Sequence, residues 1–247
     1  MRRFFVEELT AKTGFLVLRG AEANHIRTVL RMAPGDRLVL IDSNGARVEA
    51  VIVSADRREV VVSLENPLPS PPPSPVELTL CQALLRSHSM DMIIQKTSEL
   101  GVEQVLPFVS ERTIVKPDEE AFANKLRRWR EIALSSTKQS GRRKPAEIGP
   151  LCAFGELVDR WKGEEVMKII LWEDENVKSL KTLLRSSQRP MKAVGVIGPE
   201  GGFSTEEIKR AKSAGFVSVF LGQRILRSET AAMTLIVLLQ YELGDLG

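Results

Sequence analysis

At 247 residues the chain exceeds one average domain, so one large or two unequal units with a sizeable core are expected. Hydrophobic residues make up 43%, yet no apolar run approaches the roughly 18 residues of a membrane span. Met1-Arg2-Arg3-Phe4-Phe5-Val6-Glu7-Glu8 has two basic residues but no apolar region behind them, which argues against a secretory leader and for a soluble, cytoplasmic protein. The net charge of +3 is too small to name a partner, and Cys81, Cys152, His25 and His88 form neither a disulfide framework nor a metal-ligand spacing, so no metal is expected.

Short strand signals dominate the first part of the chain. Residues 21–32 read as a helix, with Ile26, Val29 and Leu30 at core spacing and Arg27 and Arg31 four residues apart on another face. His25, near its start, reads either as a local hydrogen-bonding residue or as a functional one. Residues 37–42 and 46–54 alternate as half-buried strands joined by the hairpin signal Ser43-Asn44-Gly45, and 59–64 supply another strand. A small β-barrel with one helix is the expected result. Then Pro67-Leu68-Pro69-Ser70-Pro71-Pro72-Pro73-Ser74-Pro75 holds six of the thirteen prolines and favours extended polyproline geometry. The expected organisation is a first domain over 1–70, a linker over 71–75 and a second domain over 76–247.

Beyond the linker, strands and helices alternate. Strands are expected at 76–84, 105–109, 168–171, 193–197 and 216–221, with helices at 90–100 and 119–139, which implies an α/β fold with a mostly parallel sheet. Between Asn124 and Lys144 lie Lys125, Arg127, Arg128, Arg130, Lys138, Arg142, Arg143 and Lys144 against the single acid Glu131. That run is either a solvated helix face or a polyanion-binding surface, and its continuation into Ser140-Gly141-Arg142-Arg143-Lys144-Pro145 adds a loop able to wrap a backbone. The helix expected over 229–241 is apolar from 231 to 239 at every position but Thr234, so burial on all sides is expected, in the core or at a subunit interface.

Two loops follow the last two expected strands. Gly198-Pro199-Glu200-Gly201-Gly202 has almost no side-chain bulk and leads into a capping box at Ser204 and Glu207, and Leu221 to Ala231 carries Arg224, Arg227 and Glu229. Ligands of parallel sheets bind at the carboxyl ends of strands, where both loops emerge. The first loop lacks the Lys-Ser/Thr pair of a phosphate loop and Glu200 would repel phosphate, so it is either a tight strand-to-helix turn or a cradle for a neutral or cationic ligand.

These loops, with Lys96-Thr97-Ser98-Glu99-Leu100-Gly101-Val102, Arg128-Trp129, Gln139-Ser140-Gly141-Arg142 and the closing Gly244-Asp245-Leu246, resemble the SPOUT-class RNA methyltransferases, and more narrowly the bacterial 16S ribosomal RNA uridine-N3 methyltransferase family (RsmE). The resemblance runs the length of the chain. It implies a SPOUT-like sheet with a deep trefoil knot, preceded by a PUA-like RNA-binding domain matched by His25-Ile26-Arg27-Thr28-Val29-Leu30-Arg31 and Gly35-Asp36, and a homodimer. The implied cofactor is S-adenosylmethionine, with a sulfonium cation and no phosphate. Its walls would be Leu171, Trp172 and Glu173; Ile197, Gly198, Pro199, Gly201 and Gly202; and Leu221, Gly222, Ile225 and Leu226. Arg227 is the candidate for stabilising the uracil oxygens, with Glu229 or Glu200 as the base. For 16S ribosomal RNA in the small subunit, the implied contacts are Arg2, Arg3, Arg27, Arg31, Arg86, Lys96, Arg112, Gln139 and Arg142. The chain departs from the family pattern at Ser89, where a lysine is common, and at Lys138, where an acid is common. A methyltransferase for tRNA or a ribose hydroxyl and a non-catalytic RNA-binding module are the alternative readings.

Overall fold

The computed structural model describes residues 1–9, 14–186 and 189–247, and the chain divides into two units, Met1–Pro73 with Thr137–Lys144 and Ser74–Ser136 with Pro145–Gly247. In the first, β1 (Arg2–Phe5), β2 (Phe15–Arg19), β3 (Arg37–Ile41), β4 (Arg47–Ala55) and β5 (Glu59–Leu68) form one sheet in the order β1-β3-β4-β5-β2. Among the described residues only the β1–β3 pairing is parallel. Inward residues Phe4, Leu18, Leu38, Leu40, Ile52, Val60 and Val62 make its core. The β3–β4 hairpin turns where expected: the Asp42 carboxylate accepts from the amides of Asn44 and Ala46 at 2.9 Å, and Gly45 takes φ +81°. Pro67 falls inside β5 because β2 covers only Glu59 to Ser63, so the missing amide is needed by no neighbour on that side.

The helix expected at 21–32 is shorter and irregular. α1 (Gly20–Asn24) runs into a π-helical turn (His25–Val29), where the Leu30 amide donates to the His25 carbonyl five residues back, and Arg31 then reverses the chain at φ +52°. The wider turn keeps Ile26 buried but rotates Val29 out to 65% exposure, contrary to its expected core role. His25 packs edge-on against Phe4.

The second unit holds β6 (Glu77–Ala83), β7 (Gln104–Val109), β8 (Glu147–Ile148), β9 (Cys152–Ala153), β10 (Met167–Leu171), β11 (Lys192–Ile197) and β12 (Val217–Val219). Their order is β12-β10-β11-β6-β7-β8, with β9 also on β7, and every pairing is parallel. Strand alternation sends Leu78, Leu80, Val105 and Ile169 to one face and Cys81, Leu106, Phe108 and Ile170 to the other. The first face is covered by α2 (Ser87–Glu99), α3 (Glu119–Ser140), α5 (Leu180–Ser186) and α7 (Ser228–Leu243); the second by α4 (Phe154–Arg160) and α6 (Thr205–Ser213). A Cβ on Gly195 would lie 2.4 Å from Leu235 Cδ2, so the glycine lets α7 lie against β11.

The strand expected over 216–221 contracts to β12, which among the described residues pairs with β10 alone at the sheet edge. The apolar helix α7 is not covered on all sides by its own unit. Leu235, Ile236 and Leu239 are buried, whereas Met233, Thr234, Val237 and Leu238 are partly open and Tyr241 is 63% exposed. Among the described residues no helix is long and apolar enough to cross a membrane.

Candidate functional site

The carboxyl ends of β10, β11 and β12 open into a cavity of about 760 Å³. Three chain segments wall it: Leu171, Trp172 and Glu173 after β10; Ile197, Gly198, Pro199, Glu200, Gly201 and Gly202 after β11; and Leu221, Gly222, Ile225, Leu226, Arg227 and Glu229 after β12. The structure therefore brings together all the residues expected of a cofactor site and its catalytic neighbours. Ile225 stands 87% exposed at the rim.

The glycine loop is held from several sides. Gly202 turns at φ +68°, its amide donates to the Pro199 carbonyl at 3.0 Å, and a Cβ there would stand 1.8 Å from Glu173 Oε1. Ser204 then caps α6: the Glu207 amide donates to Ser204 Oγ at 3.3 Å and Glu207 Oε2 accepts from the Ser204 amide at 3.0 Å. Glu207 Oε1 also accepts from the Glu111 amide at 2.9 Å, and Arg112 Nη1 donates to the Gly201 carbonyl at 3.0 Å.

A second tie joins the two loops. Arg227 caps α7 in extended geometry, and the next residue, Ser228, donates from Oγ to the Gly198 carbonyl at 2.6 Å. Ser228 Oγ accepts in turn from Gln82 Nε2 at 3.0 Å, at the end of β6. Sequence reasoning singled out neither residue. The available signal was a glutamine inside the otherwise apolar run Leu80-Cys81-Gln82-Ala83-Leu84.

The cavity carries Glu173, Glu175, Glu200 and Glu229 against Arg224 and Arg227, an excess of carboxylate that suits a cation and opposes a phosphate. The Ser218 hydroxyl donates to Glu175 and, with the Val177 and Lys178 amides and Lys212, holds its carboxyl below the usual range. The Lys212 ammonium lies 3.6 Å from Glu175 and 5.4 Å from the centre of the Trp172 ring, fixing that wall. Trp172 Nε1 is buried without an acceptor among the described residues.

The residues expected to meet RNA lie outside the cavity lining. In the first unit Arg2 and Arg31 are exposed, Arg27 and Arg142 are half-buried, and Gln139 is exposed in the last turn of α3. Arg3 Nη1 donates to the carbonyls of Lys138 and Gln139 at 3.1 Å, and Arg47 donates to the Gly141 carbonyl, so both guanidiniums satisfy a helix end. Lys138 pairs with Glu22. In the second unit Arg86 is exposed at the start of α2, Lys96 pairs with Glu99 at 3.0 Å, and Arg112 is engaged with the glycine loop while remaining exposed.

Two family models match the chain, one described as an RNA methyltransferase domain over residues 72–240 and one as an RNA methyltransferase PUA domain over 18–65. The ribosomal RNA small subunit methyltransferase E of Mesomycoplasma hyopneumoniae is 32% identical over 236 residues, 96% of this chain and 97% of the relative. That of Aquifex aeolicus is 31% identical, over 97% of this chain and 99% of the relative. A solved structure of ribosomal RNA small subunit methyltransferase E from Neisseria gonorrhoeae, bound to S-adenosyl methionine, superposes with a TM-score of 0.90 at 31% identity over 100% of both chains. A methyltransferase of Legionella pneumophila in complex with the same cofactor gives 0.90 at 32% identity over 98% of each chain.

Proposed function

Because the chain belongs to the RNA methyltransferase family, we propose that it is the S-adenosylmethionine-dependent enzyme that methylates N3 of a uridine in the 16S ribosomal RNA of the small subunit. The observation that carries this reading is the meeting of both glycine-bearing loops at one cavity, tied by Ser228 to the Gly198 carbonyl. The residues fit the cofactor: backbone groups of 198–202 and 221–226 are accessible to a nucleoside, Leu171, Ile197 and Leu226 give apolar walls, and the carboxylate excess suits a sulfonium. Bound there, the cofactor supplies a methyl group already activated for transfer.

The chain's own tasks are to orient the uracil, hold the negative charge that develops on its oxygens and take the N3 proton. Orientation at bonding distance supplies several kcal/mol or more. Arg227, exposed at the cavity edge, is placed to hold the charge, and Glu229 or Glu200 to receive the proton. RNA is held by Arg2, Arg3, Arg27, Arg31, Gln139 and Arg142 in the first unit and by Arg86, Lys96 and Arg112 in the second, through phosphate contacts that position without reading sequence.

The reading extends to a PUA-like domain over 1–70, a linker over 71–75 and a trefoil-knotted methyltransferase domain over 76–247, working in the cytoplasm. A homodimer through α7 is supported by its half-covered Met233, Val237 and Leu238. Light scattering should give about twice the 27.5 kDa chain mass, and a fully active monomer would remove the dimer from the reading. The deciding assay is transfer of labelled methyl to 16S ribosomal RNA, free and in the small subunit, followed by mass mapping. Label on N3 of one uridine supports the proposal; label on tRNA or a ribose redirects it; no label on any RNA favours a binding module.

A further inference from the structure

We propose that Gln82 is a positioning residue for methyl transfer, acting through Ser228 to hold the cofactor loop and the catalytic loop in one register. This rests on the functional reading above. Three elements that are distant in sequence meet here: the end of β6, the first residue after β11 and the first turn of α7. Gln82 is fully buried and does not line the cavity, so its part is not contact with a ligand. Its Nε2 donates to Ser228 Oγ at 3.0 Å and to the Ala83 carbonyl at 3.0 Å. With that donation filling one side of the hydroxyl, the Ser228 proton is directed to the Gly198 carbonyl at 2.6 Å.

Both partners of the Ser228–Gly198 bond line the cavity. Gly198 opens the glycine loop, and Ser228 stands between Arg227 and Glu229, so a shift of the serine displaces both candidate catalytic side chains together. Gln82 Oε1, meanwhile, is buried with no partner among the described residues. A buried amide with an unpaired oxygen is destabilising, and a methionine of similar length would avoid it. Core packing alone therefore favours an apolar residue at this position; the amide's return is the direction it imposes on Ser228.

The test compares wild type, Gln82→Met, Ser228→Ala and the double variant. Each is assayed for methyl transfer at saturating cofactor and RNA, cofactor affinity by calorimetry, and amide hydrogen exchange of the free protein. A positioning role predicts that each single variant lowers kcat about ten- to a hundredfold, as small misplacements of reacting groups do. Cofactor Kd should stay within about threefold, because the loops' apolar and backbone walls remain. Exchange should rise in 198–203 and 227–231 together, and not in β6 or β11. The double variant should be no slower than the slower single one, since Gln82 acts only through Ser228. Unchanged kcat in either single variant, multiplied losses in the double, or exchange rising across the whole sheet would each overturn the relay. A wild type that labels no RNA refutes the functional reading instead, and the exchange pattern of the free protein then decides whether the relay exists.

Discussion

Gly202→Ala isolates what the glycine loop demands. The position has φ +68°, a conformation that costs an L-residue about 1–2 kcal/mol. The added Cβ would also stand 1.8 Å from Glu173 Oε1, forcing that flexible carboxylate aside at an off-rotamer cost of about 0.5–1.5 kcal/mol. Together these make roughly 1.5–3.5 kcal/mol, a melting shift of about 3–14 °C for a chain of this size. Should the loop relax instead of holding its shape, the same energy appears as a loss of cofactor affinity of up to a few hundredfold, at about 1.4 kcal/mol per tenfold. Adding Glu173→Ala should recover the clash and leave the backbone strain. Gly201→Ala is the control: its φ is not left-handed, and its nearest neighbour, Arg112 Cβ at 3.3 Å, has to give only slightly. Scanning calorimetry with and without S-adenosylmethionine reads both quantities. A Gly202→Ala protein that melts and binds as wild type, or a Gly201→Ala protein equally impaired, would refute the reasoning.

Arg227→Ala should slow methyl transfer by about two to three orders of magnitude while cofactor and RNA affinities stay within a few-fold, because it removes a charge contact strongest in the transition state; labelling as fast as wild type would end that role. Replacing Arg142 and Arg143 with alanine should weaken RNA binding and flatten its salt dependence by about 0.7–0.9 of a slope unit per lost phosphate contact, measured by titration at several salt concentrations. Ser218→Ala removes a hydrogen bond that lowers the Glu175 carboxyl. Stability from a lowered carboxyl is complete above the ordinary value of about 4.3 and is lost as pH falls through the folded value, so the variant's deficit should be full at pH 7 and shrink in acid. A deficit in denaturant melts that grows on acidification would contradict this.

Much of the second unit was legible because its strands are buried on both faces and read as short apolar runs, and the Ser204–Glu207 capping box fell where its pattern placed it. Two of the cavity walls were legible because a loop follows each of the last two apolar strands, whereas the wall at Leu171, Trp172 and Glu173 was expected only from the family resemblance. What stayed hidden depends on partners distant in sequence. Nothing near Ser228 indicates Gln82, 146 positions away. β1 and β2 were missed because each is an edge strand of only a few residues, and β8 and β9, of two residues each, have no periodicity to read. The π-helical turn preserves the apolar spacing of a normal helix while changing which residue faces out, so Val29 was misplaced. Nothing in the sequence near Arg3 and Arg112, expected as RNA contacts, indicates that both also donate to backbone carbonyls.

The location of the site follows from the handedness of the connections. In the order β12-β10-β11-β6-β7-β8, the chain steps one way from β6 to β7, β7 to β8 and β10 to β11, and its intervening helices α2, α3 and α5 all cover the same face. It steps the other way from β9 to β10 and from β11 to β12, and α4 and α6 cover the opposite face. Right-handed crossovers require this separation. The reversal after β11 carries the chain past β10, so the loops leaving β11 and β12 flank the end of β10, where Trp172 and Glu173 emerge. Oppositely directed connections open a crevice there, as at other switch points of parallel sheets. Ser228 and Gly198, 30 positions apart, come within 2.6 Å because α7, entered from the loop after β12, packs back against β11. The glycines and charges of the last quarter thus supply the chemistry of the cavity, whereas its position is set by a strand order that no single motif encodes.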